Sequence, residues 1–110
     1  MDKEFLFEFR RDFYGAIKFK AGDLFWSKVK PVVSNGVESY RFHLEKWNPK
    51  FQETSEHFKT MLGTEWDGTF EVPCSYIRFN EDLEDELQHV HESVVESWKS
   101  AFHKKQEHRS

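Results

Sequence analysis

The chain has little of several things, and each scarcity excludes something. Among its 110 residues there is one cysteine, Cys74, so no internal disulfide can form and the fold must hold without a cross-link. A reducing, cytoplasmic setting is the expectation. In strand-like sequence a lone cysteine reads as a small hydrophobe rather than a nucleophile. No apolar run approaches the roughly 20 residues needed to span a bilayer, and the charged start, Met1 to Glu4, does not read as a secretory leader. Only 5 Gly and 3 Pro are present. There is no glycine-rich phosphate loop, no HExxH, no paired CxxC and no Ser or Cys nucleophile motif. The expectation is therefore a non-enzymatic domain with no cofactor and no metal.

What is abundant is aromatic and charged. Twelve Phe, 4 Trp and 3 Tyr are far too many for a disordered chain, although mean hydropathy is -0.81 and a third of the residues are charged. A folded domain with an aromatic core is implied. The net charge of -4 is unevenly spread. Residues 1–50 carry ten Lys/Arg against seven Asp/Glu, and residues 51–110 carry six against thirteen.

The first half reads as strands. Phe5, Phe7 and Phe9 alternate with Leu6, Glu8 and Arg10, the period of two that buries one row of side chains. Gly15 permits a turn, Ile17 and Phe19 alternate with lysines, and a strand opens at Leu24-Phe25-Trp26, limited or bent by Pro31. Asn35-Gly36 predicts a type I′ hairpin, whose outgoing strand sets Tyr40, Phe42 and Leu44 on one face. The Lys20-Ala21-Gly22-Asp23-Leu24-Phe25 turn resembles turns in SH3-like barrels, a likeness of six residues that identifies no family.

Asn48-Pro49 predicts an N-cap with proline at the first helical position, and Phe51, Ser55, Phe58, Met61 and Leu62 follow on one stripe before Gly63. Asp67-Gly68 introduces a strand with Phe70, Val72, Cys74 and Tyr76. Its alternation shifts to Ile77 and Phe79 after Pro73, which predicts a bulge or an edge position. Asn80 caps a last helix in which Leu83, Leu87, Val90, Val94, Trp98, Ala101 and Phe102 recur at spacings of three and four. The predicted fold is α+β: an antiparallel sheet of about five strands with two helices packed on one face, in the order ββββαβα. One domain covers residues 1–105, with a frayed tail over 106–110.

Three functional readings follow. The leading one is a small protein-binding domain, an inhibitor or immunity-type factor that covers a basic surface of a partner protein. Its acidic helix start (Glu81, Asp82, Glu84, Asp85, Glu86) would bind, with Trp47 and Trp66 as exposed aromatics in reserve. Carboxylates at a helix N-terminus stabilise the helix with no partner present, but five in six residues exceed what capping needs, and like-signed clusters steer association. The second reading is a single-stranded nucleic-acid module. Arg10, Arg11, Lys18, Lys20 and Lys28 would contact phosphates and Trp26 would stack on bases, against the acidity of the whole chain. The third is a small enzyme with a carboxylate/His site. His89 and His91 lie roughly 200° apart on a helix and cannot share an ion; only a site assembled by the fold from His43, His57 and His91 stays open.

Overall fold

The computed structural model describes residues 4–107, with side chains to residue 105. The elements are β1 (Phe5–Phe9), β2 (Phe13–Tyr14), β3 (Lys18–Phe19), β4 (Leu24–Ser34), β5 (Val37–His43), α1 (Pro49–Leu62), β6 (Thr69–Pro73), a 3-10 turn at Cys74–Tyr76, β7 (Ile77–Phe79) and α2 (Glu81–Glu107). The α+β class, the five-stranded antiparallel sheet and the element order agree with the sequence reading. The predicted helix continues to Glu107, and residues 108–110 of the predicted tail lie outside the described residues.

Local chemistry explains most boundaries. Asn35 and Gly36 both have positive φ, 52° and 79°, as a type I′ turn between β4 and β5 requires. The Asn48 side chain accepts from the Lys50 amide at 2.9 Å ahead of Pro49, and the Asn80 side chain accepts from the Leu83 amide at 3.1 Å. Gly68, at φ 90°, is irreplaceable on a second ground, because a Cβ there would lie 2.6 Å from the Leu44 carbonyl oxygen.

The strand order is β6-β5-β4-β1-β7, so consecutive strands β6 and β7 occupy opposite edges. Flat, those edges would stand roughly 19 Å apart. The chain crosses between them through three residues in a 3-10 turn, which rises only about 2 Å per residue. The sheet must therefore curl. Its curvature is visible in the Tyr40 and Phe79 rings, 5.6 Å apart although β5 and β7 are three strands apart. The bend falls within β4, whose Leu24–Ser27 segment pairs with β1 and whose Lys28–Ser34 segment pairs with β5. Ser27, 2% exposed, sits at the joint with its hydroxyl within reach of the Lys28 and His43 carbonyls. Beyond the joint β4 is paired on one side only, which is how Pro31 is accommodated without ending the strand. The rolled sheet forms a partly closed barrel, with α1 between β5 and β6 in the chain and α2 following β7.

The rolled interior holds Phe7, Phe9, Phe25, Phe42, Phe70, Val72 and Ile77. The β2–β3 hairpin folds Phe19 onto Phe9 at 4.2 Å. Phe51 of α1 joins the same cluster and stacks on Trp66. The helices do not share a face as the sequence suggested. Whereas α1 turns Phe51 toward the phenylalanine interior, α2 lies outside the barrel, where Leu6, Trp26 and Glu4 project by the alternation of the strands.

Two further expectations are corrected. Cys74 and Tyr76 belong to the 3-10 turn, so the shift of alternation after Pro73 marks a change of strand and not a bulge, while the other alternative, an edge position, holds for β6 with its Pro73 and for β7. In α1, Met61 and Leu62 are exposed while Thr54 is buried. The helix meets the core through Phe51, Thr54 and Phe58 and leaves its last turn in solvent.

Candidate partner-binding surfaces

The contact face of α2 differs from its most apolar face. Glu84, Val95 and the half-buried His91, Trp98 and Phe102 point at the barrel, while Val90 (58%) and Val94 (37%) are exposed. The cause lies in what the barrel presents. Strand β7 ends at Phe79, and Asn80 donates its amide to the Leu6 carbonyl at 3.0 Å. The Leu6 amide therefore lies past the last rung of the ladder, and a buried N–H needs an acceptor. The Glu84 carboxylate supplies one at 3.1 Å. Seven residues on, His91 stacks flat on Trp26 at 4.2 Å and 6° and sets Nε2 3.2 Å from a Glu4 oxygen. Trp98 lies beside Trp47 at 6.3 Å, and Lys99 reaches over the Trp47 ring.

This geometry divides the five predicted acids. Glu81, Asp82, Asp85 and Glu86 are exposed, and none of the four makes an ion pair or a side-chain hydrogen bond among the described residues. Glu84, 8% exposed, is a structural ligand of the barrel and leaves the predicted surface. The other acids near the seam are engaged. Glu8 accepts from Asn80 at 2.8 Å and from Arg78 at 3.1 Å, and Glu4 faces His91. Neither reserve aromatic is free. Trp66 is 7% exposed and donates to the Thr69 carbonyl, and Trp47 is half-buried against Trp98.

The nucleic-acid residues are scattered. Arg10, Arg11, Lys18 and Lys20 are exposed around the β2–β3 hairpin, but Lys28 pairs with Glu45 at 3.6 Å and Trp26 lies under His91. The stacking platform that reading needs is covered by α2. The three histidines stay apart: His57 faces the β2–β3 hairpin across a cleft lined by Gly15 to Lys18, and His91 rests on Trp26. Among the described residues no three His, Cys, Asp or Glu side chains group as metal ligands, and no helix is long and apolar enough to cross a membrane.

One surface was missed. Arg11 lies 4.2 Å over the Tyr76 ring, Phe13 meets Tyr76 edge-on at 5.9 Å, and Tyr14 is 69% exposed. Arg11, Phe13 and Tyr76 form an aromatic shelf beside the 3-10 turn, and Tyr14, next in the strand, projects from the opposite face of the hairpin. Asp12 fixes it by accepting from the Ala21 amide at 2.9 Å and the Tyr14 hydroxyl at 3.1 Å. Those bonds hold its carboxyl below the usual carboxylate range, and the bond to Asp12 raises the Tyr14 phenol. The signal for the shelf was the break in alternation after Pro73, which brings Tyr76 back across the barrel toward Phe13.

Compared with protein-family models, with curated proteins and with solved structures, the chain matches none.

Proposed function

We propose that the chain is a non-enzymatic protein-binding domain, an inhibitor or immunity-type factor that covers a basic surface of a partner with the carboxylates that open α2. The observation that carries this reading is the contrast between neighbouring acids. Glu4, Glu8 and Glu84 are each engaged by the fold, whereas Glu81, Asp82, Asp85 and Glu86 stand exposed with no partner among the described residues. A cluster of unpaired charge at one end of a rigid helix accelerates encounter with an oppositely charged surface more than it slows departure.

The test is a variant with Glu81→Gln, Asp82→Asn and Asp85→Asn, which leaves Glu84 on Leu6. Its association rate with a co-purifying basic protein should fall about tenfold at low salt and converge with the wild type at high salt. An unchanged rate in the folded variant would sink the reading.

The shelf supports a second reading. Proline-rich segments in polyproline II form dock on aromatic-lined grooves, and Phe13 and Tyr76 supply such rings here. It ranks second because Arg11 already lies across Tyr76. Repeating the binding measurement with Tyr76→Ala separates the two: loss of binding there, with the acidic variant unaffected, would transfer the site to the shelf.

A further inference from the structure

The far end of α2 differs in charge from its acidic start. Between one flank of α1 and the last turns of α2 lies a cleft of about 400 Å³, within the size range of small-molecule sites. Its apolar lining comes from Phe51, at the edge of the core, and from the half-buried Phe102 of α2. Three lysines surround these rings: Lys46 from the segment between β5 and α1, Lys59 from α1 and Lys105 from α2. All three are exposed, and among the described residues none makes an ion pair or a side-chain hydrogen bond. Glu56 also lines the cleft, so three ammonium groups stand against one carboxylate.

Helix ends account for part of this. Lys59 and Lys105 each stand in the last turn of a helix, where a cation is stabilising with no ligand present. That effect does not explain Lys46, which belongs to no helix, or the side chains that accompany Lys59. Gln52, Ser55 and Lys59 follow one another at spacings of three and four, one flank of α1. Gln52 and Ser55 are half-buried, and their side chains have no hydrogen-bond partner among the described residues.

The chemistry of the lining specifies what fits. The phenyl rings suit an apolar body, the amide and hydroxyl can donate to an oxygen, and the ammonium groups favour a negative head. The whole chain carries a net charge of -4, so it does not attract anions at long range. An anion that binds is therefore held by contacts within the cleft.

We propose that this cleft is a binding site for a small organic anion, a carboxylate or phosphate head on an aromatic or acyl body. Lys46, Lys59 and Lys105 hold the head with help from Gln52 and Ser55, and the body rests on Phe102 and the edge of Phe51. The proposal is independent of the acidic surface above. Glu81 and Lys105 are 24 residues apart on one helix, about 36 Å, so failure of either reading leaves the other standing.

The test is a titration of the nitrogen-labelled full chain with naphthoate and with naphthyl phosphate, using naphthol as the uncharged control. At least one anion should shift the amide resonances of Gln52, Ser55 and Phe102 and saturate with a dissociation constant near or below about 1 mM. The tighter of the two identifies the head group. Naphthol should bind at least about tenfold more weakly. Lys46→Gln combined with Lys59→Gln should weaken the anion at least about fivefold. Lys18→Gln combined with Lys30→Gln removes the same charge outside the cleft and should leave binding unchanged. All four side chains are exposed, so circular dichroism should show both variants folded. No saturation by either anion up to about 10 mM overturns the proposal. So do naphthol binding as tight as the anions, shifts confined to other parts of the molecule, and affinity that survives the paired cleft substitutions.

Discussion

Inside the barrel, Phe7, Phe9, Phe25, Phe42 and Phe70 pack ring against ring, with separations such as 4.8 Å between Phe7 and Phe42 and 5.1 Å between Phe42 and Phe70. At the seam between barrel and α2, the groups that meet are Glu84, Asn80, His91 and Trp26, with Leu6 and Val95 as the only buried apolar side chains there among the described residues. The interior is held by the exclusion of water from hydrocarbon, which asks only for volume and shape. The seam is held by matching particular donors to particular acceptors, so its worth depends on partners being present. Burying hydrophobic surface tolerates gradual change, whereas an unmatched buried amide carries the whole cost of its desolvation.

That difference can be tested by graded damage. Phe42→Ala, at a residue with 0% exposure, should have the largest effect, a loss of about 3–5 kcal/mol in urea unfolding from lost transfer energy plus the cavity. A loss under about 1 kcal/mol would mean that the interior repacks freely. Glu84→Ala should cost about 1–3 kcal/mol, because the Leu6 amide is left buried without an acceptor. Glu84→Gln, which keeps a side-chain carbonyl, should recover most of that stability. If Ala and Gln variants melt together, the seam is not held by this bond. Val90→Ala should shift monomer stability by less than about 0.5 kcal/mol, since the side chain is 58% exposed. A cost as large as that of Glu84→Ala would restore Val90 to the barrel-facing side of the helix.

The same contrast explains what could be read without coordinates. The turn at Asn35-Gly36 and the caps at Asn48 and Asn80 depend on chemistry within a few residues, so they were legible. So was the alternation of Phe5, Phe7 and Phe9, of which Phe7 and Phe9 enter the core. The face of α2 was not, because periodicity finds the most apolar stripe and the barrel chose another. Its choice was set by an amide left over where β7 stops and by the outward ring of Trp26, features that exist only once distant strands are paired. Glu84 was therefore grouped with the exposed acids it adjoins in sequence. Trp66 looked available for binding because nothing local announces that its indole N–H reaches the Thr69 carbonyl. The rolling of the sheet was hidden for a similar reason: a strand broken by Pro73 and a bulged strand have the same local spelling.

The crossing at Cys74–Tyr76 also dictates an order of assembly. The β4–β5 hairpin pairs residues as near as Ser34 and Val37, so it closes a short loop and can form early at small entropic cost. Strand β1 instead pairs Phe7 with Phe79, across about two-thirds of the chain, and contacts of such long range slow folding. On the ribosome, β1 emerges well before its β7 neighbour. Until β7 arrives, β1 presents an open, phenylalanine-rich edge of the kind that recruits stray strands. A domain so closed is at its most vulnerable to aggregation in the interval between the emergence of β1 and the pairing of β7.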